Sequence, residues 1–143
     1  MTELRPITYD DAVALLAGRP PLPCGDGYPH GDTADALGMF VAAGDRESTG
    51  GWFVVHDGLV VGDCGTKPGA AETEIGYGLA PAYRGRGIGT AAVRLLLAEL
   101  PPGPVVAEVH PSNSPSRRLL ERLGFTVDRV EPGAVWYRLV TGR

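Results

Sequence analysis

Between residues 74 and 100 a short strand, a glycine-rich turn and a helix follow one another with no spacer, and few architectures accommodate such a junction. The strand reads Glu74-Ile75-Gly76-Tyr77-Gly78-Leu79. Its period of two puts Ile75, Tyr77 and Leu79 on one face and glutamate with two glycines on the other. Glycines inside a strand predict a bulge, or a close approach by another backbone or a ligand. After Ala80-Pro81-Ala82-Tyr83 comes Arg84-Gly85-Arg86-Gly87-Ile88-Gly89, and Thr90 to Leu100 then reads as helix, ended by Pro101-Pro102. The turn would present several backbone N–H groups at the positive end of a helix dipole, with two arginines beside them. That combination is suited to phosphate.

Spacing separates the known kinds of phosphate loop. A Walker loop ends in Gly-Lys-Ser/Thr, which is absent here. A dinucleotide fingerprint needs G-x-G-x-x-G, and counting from Gly85 places Thr90 at the third glycine. Glu108 does lie where a ribose-binding acid belongs, roughly 20 residues on, so a dinucleotide site stays open. Arg84, Gly87 and Gly89 satisfy Arg-x-x-Gly-x-Gly after a strand that opens Glu-Ile-Gly-Tyr. This resembles the acyl-CoA pyrophosphate loop of the GNAT superfamily of N-acyltransferases.

Residues 113 to 125, Asn-Ser-Pro-Ser-Arg-Arg-Leu-Leu-Glu-Arg-Leu-Gly-Phe, resemble the same family's second motif, an Asn followed by a short helix ending in Leu-Gly-Phe. Ser114 before Pro115 suits an N-cap and first helical position, and Gly124 suits the left-handed residue past the end. Ser116, Leu119, Leu120 and Leu123 form one face, leaving Arg117, Arg118, Glu121 and Arg122 toward water. The resemblance covers about residues 50 to 140 and is nearest to the branch that acetylates ribosomal-protein N-termini.

With 143 residues the chain is long enough for one domain and one core, and a single domain over 1–143 is expected. Thirteen basic against 17 acidic residues leave a net charge of -4. That argues against nucleic acid or an anionic membrane as partner and favours a cationic or amine substrate. No apolar run approaches the ~20 residues of a membrane span, and the N-terminus lacks the apolar stretch of a signal peptide. A cytoplasmic protein, monomer or homodimer, is expected. Cys24 and Cys64 are too few for a zinc site, and their default is two reduced thiols.

Leu4 to Thr8 reads as a first strand, and Tyr9-Asp10-Asp11 starts a helix to about Ala17 with acids in its first turn. Residues 18–31 turn to Gly, Pro and polar residues, a loop long enough to be functional or mobile. Asp32 is the expected cap of a second helix to about Ala43, with Ala36, Leu37, Phe40 and Val41 facing the core. Trp52 to His56 and Leu59 to Lys67 read as a hairpin around His56-Asp57-Gly58, and Pro68-Gly69-Ala70-Ala71 leads into the central strand. Val105 to His110 should lie parallel to that strand through a right-handed crossover. Phe125 to Val130 and Val135 to Val140 close the chain around Glu131-Pro132-Gly133. The sum is an α/β architecture: a mixed, mostly antiparallel sheet with a central parallel pair, flanked by about four helices. The GNAT fold has that form.

The resemblance also implies chemistry. Acetyl-CoA would be the co-substrate, its pyrophosphate on residues 84 to 90 (Arg84, Gly85, Arg86, Gly87, Ile88, Gly89, Thr90), with Asn113 and Ser116 near the cofactor. Backbone N–H groups near Leu79 and Ala80 would hold the oxyanion where the central strand splays and the pantetheine arm enters. Glu74 and Glu108 each align with a glutamate that serves as general base in some family members; Glu74 can also be read simply as a solvated acid at a strand entry, and Glu108, out of place mid-strand, equally as half of a structural ion pair. His110 is a third titratable group near that strand's end. Many family members carry a tyrosine as acid to the leaving thiolate where this chain has Leu120, whose place on an apolar helix face explains it as core. The loss is tolerable, since a thiol of pKa about 8.5 puts the thiolate only ~2 kcal/mol uphill at neutral pH. The acceptor pocket would lie by the 18–31 loop, with Asp26 as its free carboxylate and Tyr28 and His30 as a wall. The expected reaction is transfer of an acetyl group to a primary amine of a small molecule or a protein N-terminus; a CoA-binding module without chemistry is the alternative.

Overall fold

The computed structural model describes residues 1–67 and 71–140. Pro68-Gly69-Ala70 of the expected turn, and residues 141–143, lie outside them. Seven strands form one sheet: β1 (Thr2–Pro6), β2 (Trp52–His56), β3 (Leu59–Thr66), β4 (Thr73–Leu79), β5 (Pro104–Val109), β6 (Thr126–Glu131) and β7 (Ala134–Val140). Their spatial order is β1-β2-β3-β4-β5-β7-β6. All neighbours are antiparallel except β4 and β5. Helices α1 (Tyr9–Leu16) and α2 (Gly31–Ala43) cover one face, and α3 (Ile88–Glu99) and α4 (Ser114–Arg122) the other. This is the mixed sheet with four flanking helices that the pattern of elements predicts. No helix among the described residues is long and apolar enough to cross a membrane.

The core divides accordingly. Val54, Val61, Cys64, Ile75, Val105, Ala107 and Tyr137 of the sheet pack on Ile88, Val93 and Leu96 of α3 and Leu120 of α4. Ile7, Phe53, Val55 and Val60 pack on Ala12, Leu15 and Leu37 under α1 and α2. Burying the Val, Leu, Ile and Phe side chains among these contributes about 1.5–3 kcal/mol each, and it sets which way β4 faces. Because Ile75 is in the α3 layer, alternation turns Glu74, Gly76 and Gly78 toward the α1/α2 side.

Several local expectations hold with shifted bounds, and some change. Thr8 and Asp11 form a reciprocal capping box on α1. The β2–β3 turn has Asp57 at φ 50 and Gly58 at φ 83, the paired left-handed residues of a tight hairpin. Asp32 does not cap α2: the helix starts at Gly31 behind His30, and Asp32 sits in the first turn, where the dipole still favours it. On the same helix Ala36 is exposed and Thr33 is buried in its stead. A polar residue goes inside there because Asp63 of β3 accepts its hydroxyl at 2.6 Å. Asn113, not Ser114, caps α4, its Oδ1 accepting from Ser116 N–H at 3.2 Å. The 18–31 loop is tied down by backbone bonds from Gly25 N–H to Val60 O (2.8 Å) and from Val60 N–H to Pro23 O (2.9 Å).

Candidate active site

The site begins with a local backbone requirement. Gly85 (φ 76) and Gly87 (φ 80) are both left-handed, a conformation L-residues with side chains rarely adopt. Gly87 immediately precedes α3, which starts two residues earlier than its periodicity predicts. The first backbone bond of the helix runs from Ala91 N–H to Gly87 O at 3.1 Å, and no side chain caps it. The N–H groups of Ile88, Gly89 and Thr90 are therefore left without an intrahelical acceptor. Arg84 folds back so that Nε donates to Leu79 O at 3.1 Å, and the Arg86 guanidinium stacks 5.2 Å from the Tyr83 ring centre. Thr90 Oγ1 accepts from Arg122 at 3.3 Å, tying α3 to α4 and withdrawing Arg122 from the purely solvated face expected of it.

That turn stands at the mouth of an opening in the sheet. β4 and β5 are paired only at Thr73↔Val105 and Glu74↔Val106; beyond these the strands part. The ladder on the other side of β4 shows which backbone groups face the opening. Ala80 N–H donates to Val61 O at 2.8 Å and Lys67 N–H to Glu74 O at 2.8 Å, so the even positions of β4 serve β3. Alternation turns the N–H and C=O of Leu79 toward the β5 side, where Arg84 takes the carbonyl. Leu79 N–H faces the gap, whereas Ala80 N–H is spent in the sheet. From across the gap Ser116 of α4 reaches the Tyr77 hydroxyl in a short hydrogen bond. Burial pushes the Tyr77 phenol up, so it stays protonated at neutral pH.

On the α1/α2 face the two candidate carboxylates meet a cation. Lys67 Nζ lies 2.9 Å from Glu74 Oε2 and 3.9 Å from Glu108 Oε1. Glu74, 13% exposed, is not the solvated acid that strand entry suggests. Glu108 is 42% exposed and less tightly held. The glycines of β4 are explained by what crosses them: a Cβ on Gly76 would meet Lys67 Cε at 3.6 Å, and one on Gly78 would meet the His30 ring at 3.1 Å. The close approach expected there comes from the protein's own side chains.

The 18–31 loop divides into a buried and a free part. Tyr28 is buried and donates to Asp63 Oδ2 at 2.9 Å, beside the bond from Thr33. Burial and the Asp63 charge push its phenol well above the usual range. Tyr28 is therefore core and not the pocket wall expected of it. Its ring supports His30 edge-on, with centroids 5.8 Å apart, and His30 alone of the pair lies over β4. Asp26 is exposed. On α4, Arg117 is not a solvated residue: Nε donates to Tyr137 Oη at 3.0 Å, and that hydroxyl donates to Glu121 at 2.7 Å. Leu120 is fully buried, as core. His110 Nδ1 is engaged by Ser112, at 2.7 Å from Oγ. No group of acids, histidines and cysteines among the described residues could hold a metal.

A family model described as the acetyltransferase (GNAT) domain matches residues 2–126. The chain belongs to the GNAT acetyltransferase family. Solved structures share the fold at low identity. They include yncA from Salmonella typhimurium with its cofactor acetyl-CoA (TM-score 0.66, 20% identity, 100% of this chain and 95% of that one). Ribosomal-protein-S5-alanine acetyltransferase from Vibrio fischeri superposes with TM-score 0.63 at 18% identity, over 98% of this chain and 93% of that one. Mycobacterium smegmatis RimJ in complex with CoA-disulfide gives TM-score 0.61 at 23% identity, over 97% and 81%. Among curated proteins no sequence match was found.

In this GNAT domain three groups around β4 escaped the sequence reading. Asp63 sits mid-strand in Val60-Val61-Gly62-Asp63-Cys64, where an acid demands a partner as much as Glu108 does, and that signal was available. Lys67 is the only lysine in the chain, which was also legible. Tyr77 carried no signal beyond its strand face.

Proposed function

We propose that the protein transfers an acetyl group from acetyl-CoA to the primary amine of a small molecule or a protein N-terminus, by direct attack of the amine on the thioester. The observation that carries this reading is the parting of β4 from β5 after Glu74↔Val106. It leaves backbone donors at one end of the opening and two carboxylates at the other. The acetyl-CoA and CoA-disulfide in yncA and RimJ support it by analogy of fold.

In this reading the pyrophosphate sits on the N–H groups of Ile88, Gly89 and Thr90, with Gly85 and Gly87 shaping the turn and Arg84 and Arg86 adding charge. The pantetheine arm runs along the unpaired edge of β4, past Asn113 and Ser116. Leu79 N–H is aimed at the developing oxyanion, and such a donor contributes about 3 kcal/mol. The acceptor comes from the α1/α2 side over the glycine floor, near His30 and Asp26. Glu108 is the base for an external amine, because it is the freer of the two carboxylates. Deprotonating a lysine-like amine of pKa about 10.4 costs nearly 5 kcal/mol at neutral pH, but an α-amino group of pKa about 8 only ~1. Among external acceptors, a small or terminal amine avoids most of that cost.

Incubation with acetyl-CoA and a panel of amines, reading free thiol, tests the proposal. Thiol release that depends on both substrates is expected. CoA binding without release for any amine would leave the non-catalytic module, and thermal stabilisation by NAD but not CoA would favour the dinucleotide site.

A further inference from the structure

We propose that Lys67 is acetylated by the protein itself, from acetyl-CoA bound in the same chain. The inference rests on the acetyl-CoA reading above and adds a modification site to it.

Three observations converge on this side chain. It is the only lysine in the sequence, and it lies within 2.9 Å of Glu74 and 3.9 Å of Glu108, the two carboxylates placed to take a proton from an amine. Its stem does not run out to solvent from the end of β3. It crosses Gly76, with Cε 3.6 Å from where a Cβ there would stand, and so leans toward the stretch where β4 is no longer paired with β5. It is also accessible, with the side chain 48% exposed. The other amine, the Met1 α-amino group, is held by Asp57 at 2.6 Å beside the β2–β3 turn and has no such surroundings.

The step balances without another reactant. Glu74 takes a proton from the Lys67 ammonium, and the freed lone pair attacks the thioester carbonyl carbon. The C–N bond forms, the C–S bond breaks, and CoA leaves as thiolate, which is protonated to the thiol. The products are an amide on Lys67 and free CoA, and Glu74 and Glu108 lose the cation between them.

The test uses the full chain with excess acetyl-CoA and no added amine. Intact-mass and fragmentation mass spectrometry follow the label, and calorimetry measures acetyl-CoA binding in parallel. One acetyl group per chain on Lys67 is expected, at a rate constant independent of protein concentration. The label should vanish in Lys67→Arg, which keeps the charge, and should form roughly 10²-fold more slowly in Glu74→Gln. Labelling of the urea-unfolded chain at the same rate would reduce the reaction to plain chemical acetylation and overturn the proposal. So would an enzyme that binds acetyl-CoA and acetylates an added amine while Lys67 stays unmodified. Absence of acetyl-CoA binding would remove the functional reading and this inference with it, and calorimetry tells that failure from the others.

Discussion

A Cβ on Gly89 would stand 3.0 Å from Leu119 Cδ1 and 3.6 Å from Leu79 Cδ1, whereas one on Gly87 would meet nothing within 4 Å. The two glycines of the turn are therefore needed for different reasons. Gly89 lets α3 pack against α4 and β4; Gly87 supplies a left-handed φ of 80. Gly89→Val should cost about 1–3 kcal/mol of stability through overpacking, read from urea melts. Gly87→Val should cost about 1–2 kcal/mol, remain folded, and lose at least roughly tenfold in CoA affinity as the N–H groups are re-aimed. Calorimetry showing wild-type affinity in a folded Gly87→Val would remove the turn as the pyrophosphate site.

The two glutamates differ in how firmly Lys67 holds them. Glu108→Gln should lower kcat for an added amine by roughly 10²-fold. Glu74→Gln is the paired control, with Lys67 left to Glu108. If both variants turn over at the wild-type rate, solvent takes the proton and neither carboxylate is the base.

Tyr28 gives a pH signature. Its phenol is raised by burial and by Asp63, so the folded state favours the protonated form. The resulting stability is fully present below the unfolded tyrosine pKa of about 10 and is lost as pH rises beyond it. Tyr28→Phe should be destabilised by about 1.5–3 kcal/mol near neutral pH, the worth of a hydrogen bond to a charged acceptor. The gap to wild type should narrow in urea melts near pH 11. Tyr77 and Tyr137 are raised too, and taking the difference cancels their part. A gap unchanged with pH would mean that the fold does not hold the Tyr28 phenol in its protonated form.

Burial pushes the Cys64 thiol up to about 12, and that of Cys24 upward as well. At pH 8 only about 10⁻⁴ of a thiol with pKa 12 is thiolate, against roughly a quarter for a free cysteine. A chromogenic disulfide reagent should therefore label Cys64 only on unfolding. Stoichiometric labelling of two thiols in the native protein within minutes would contradict its placement in the core.

The sequence alone determined what depends on neighbours along the chain. The left-handed glycines at 85 and 87, the α4 helix closed by Gly124 at φ 97, the Asp57-Gly58 turn and the faces of β4 are all local consequences of side-chain size, capping and period. The mixed sheet followed because strand, helix, strand with short links leaves one parallel crossover. Only the tertiary structure decided where charged side chains end up, because register and crossing bring together residues distant in sequence. Thr33 and Tyr28 turn inward to Asp63, some 30 and 35 residues away, and Ala36 is left outside. Arg117 leaves water for Tyr137, which sequence adjacency cannot show. Ala80 loses its N–H to Val61 through the parity of the β3–β4 ladder, a one-residue matter that helix and strand propensities do not reach. Lys67, an ordinary residue at a strand end, becomes the cation between Glu74 and Glu108 only once β4 lies between β3 and β5.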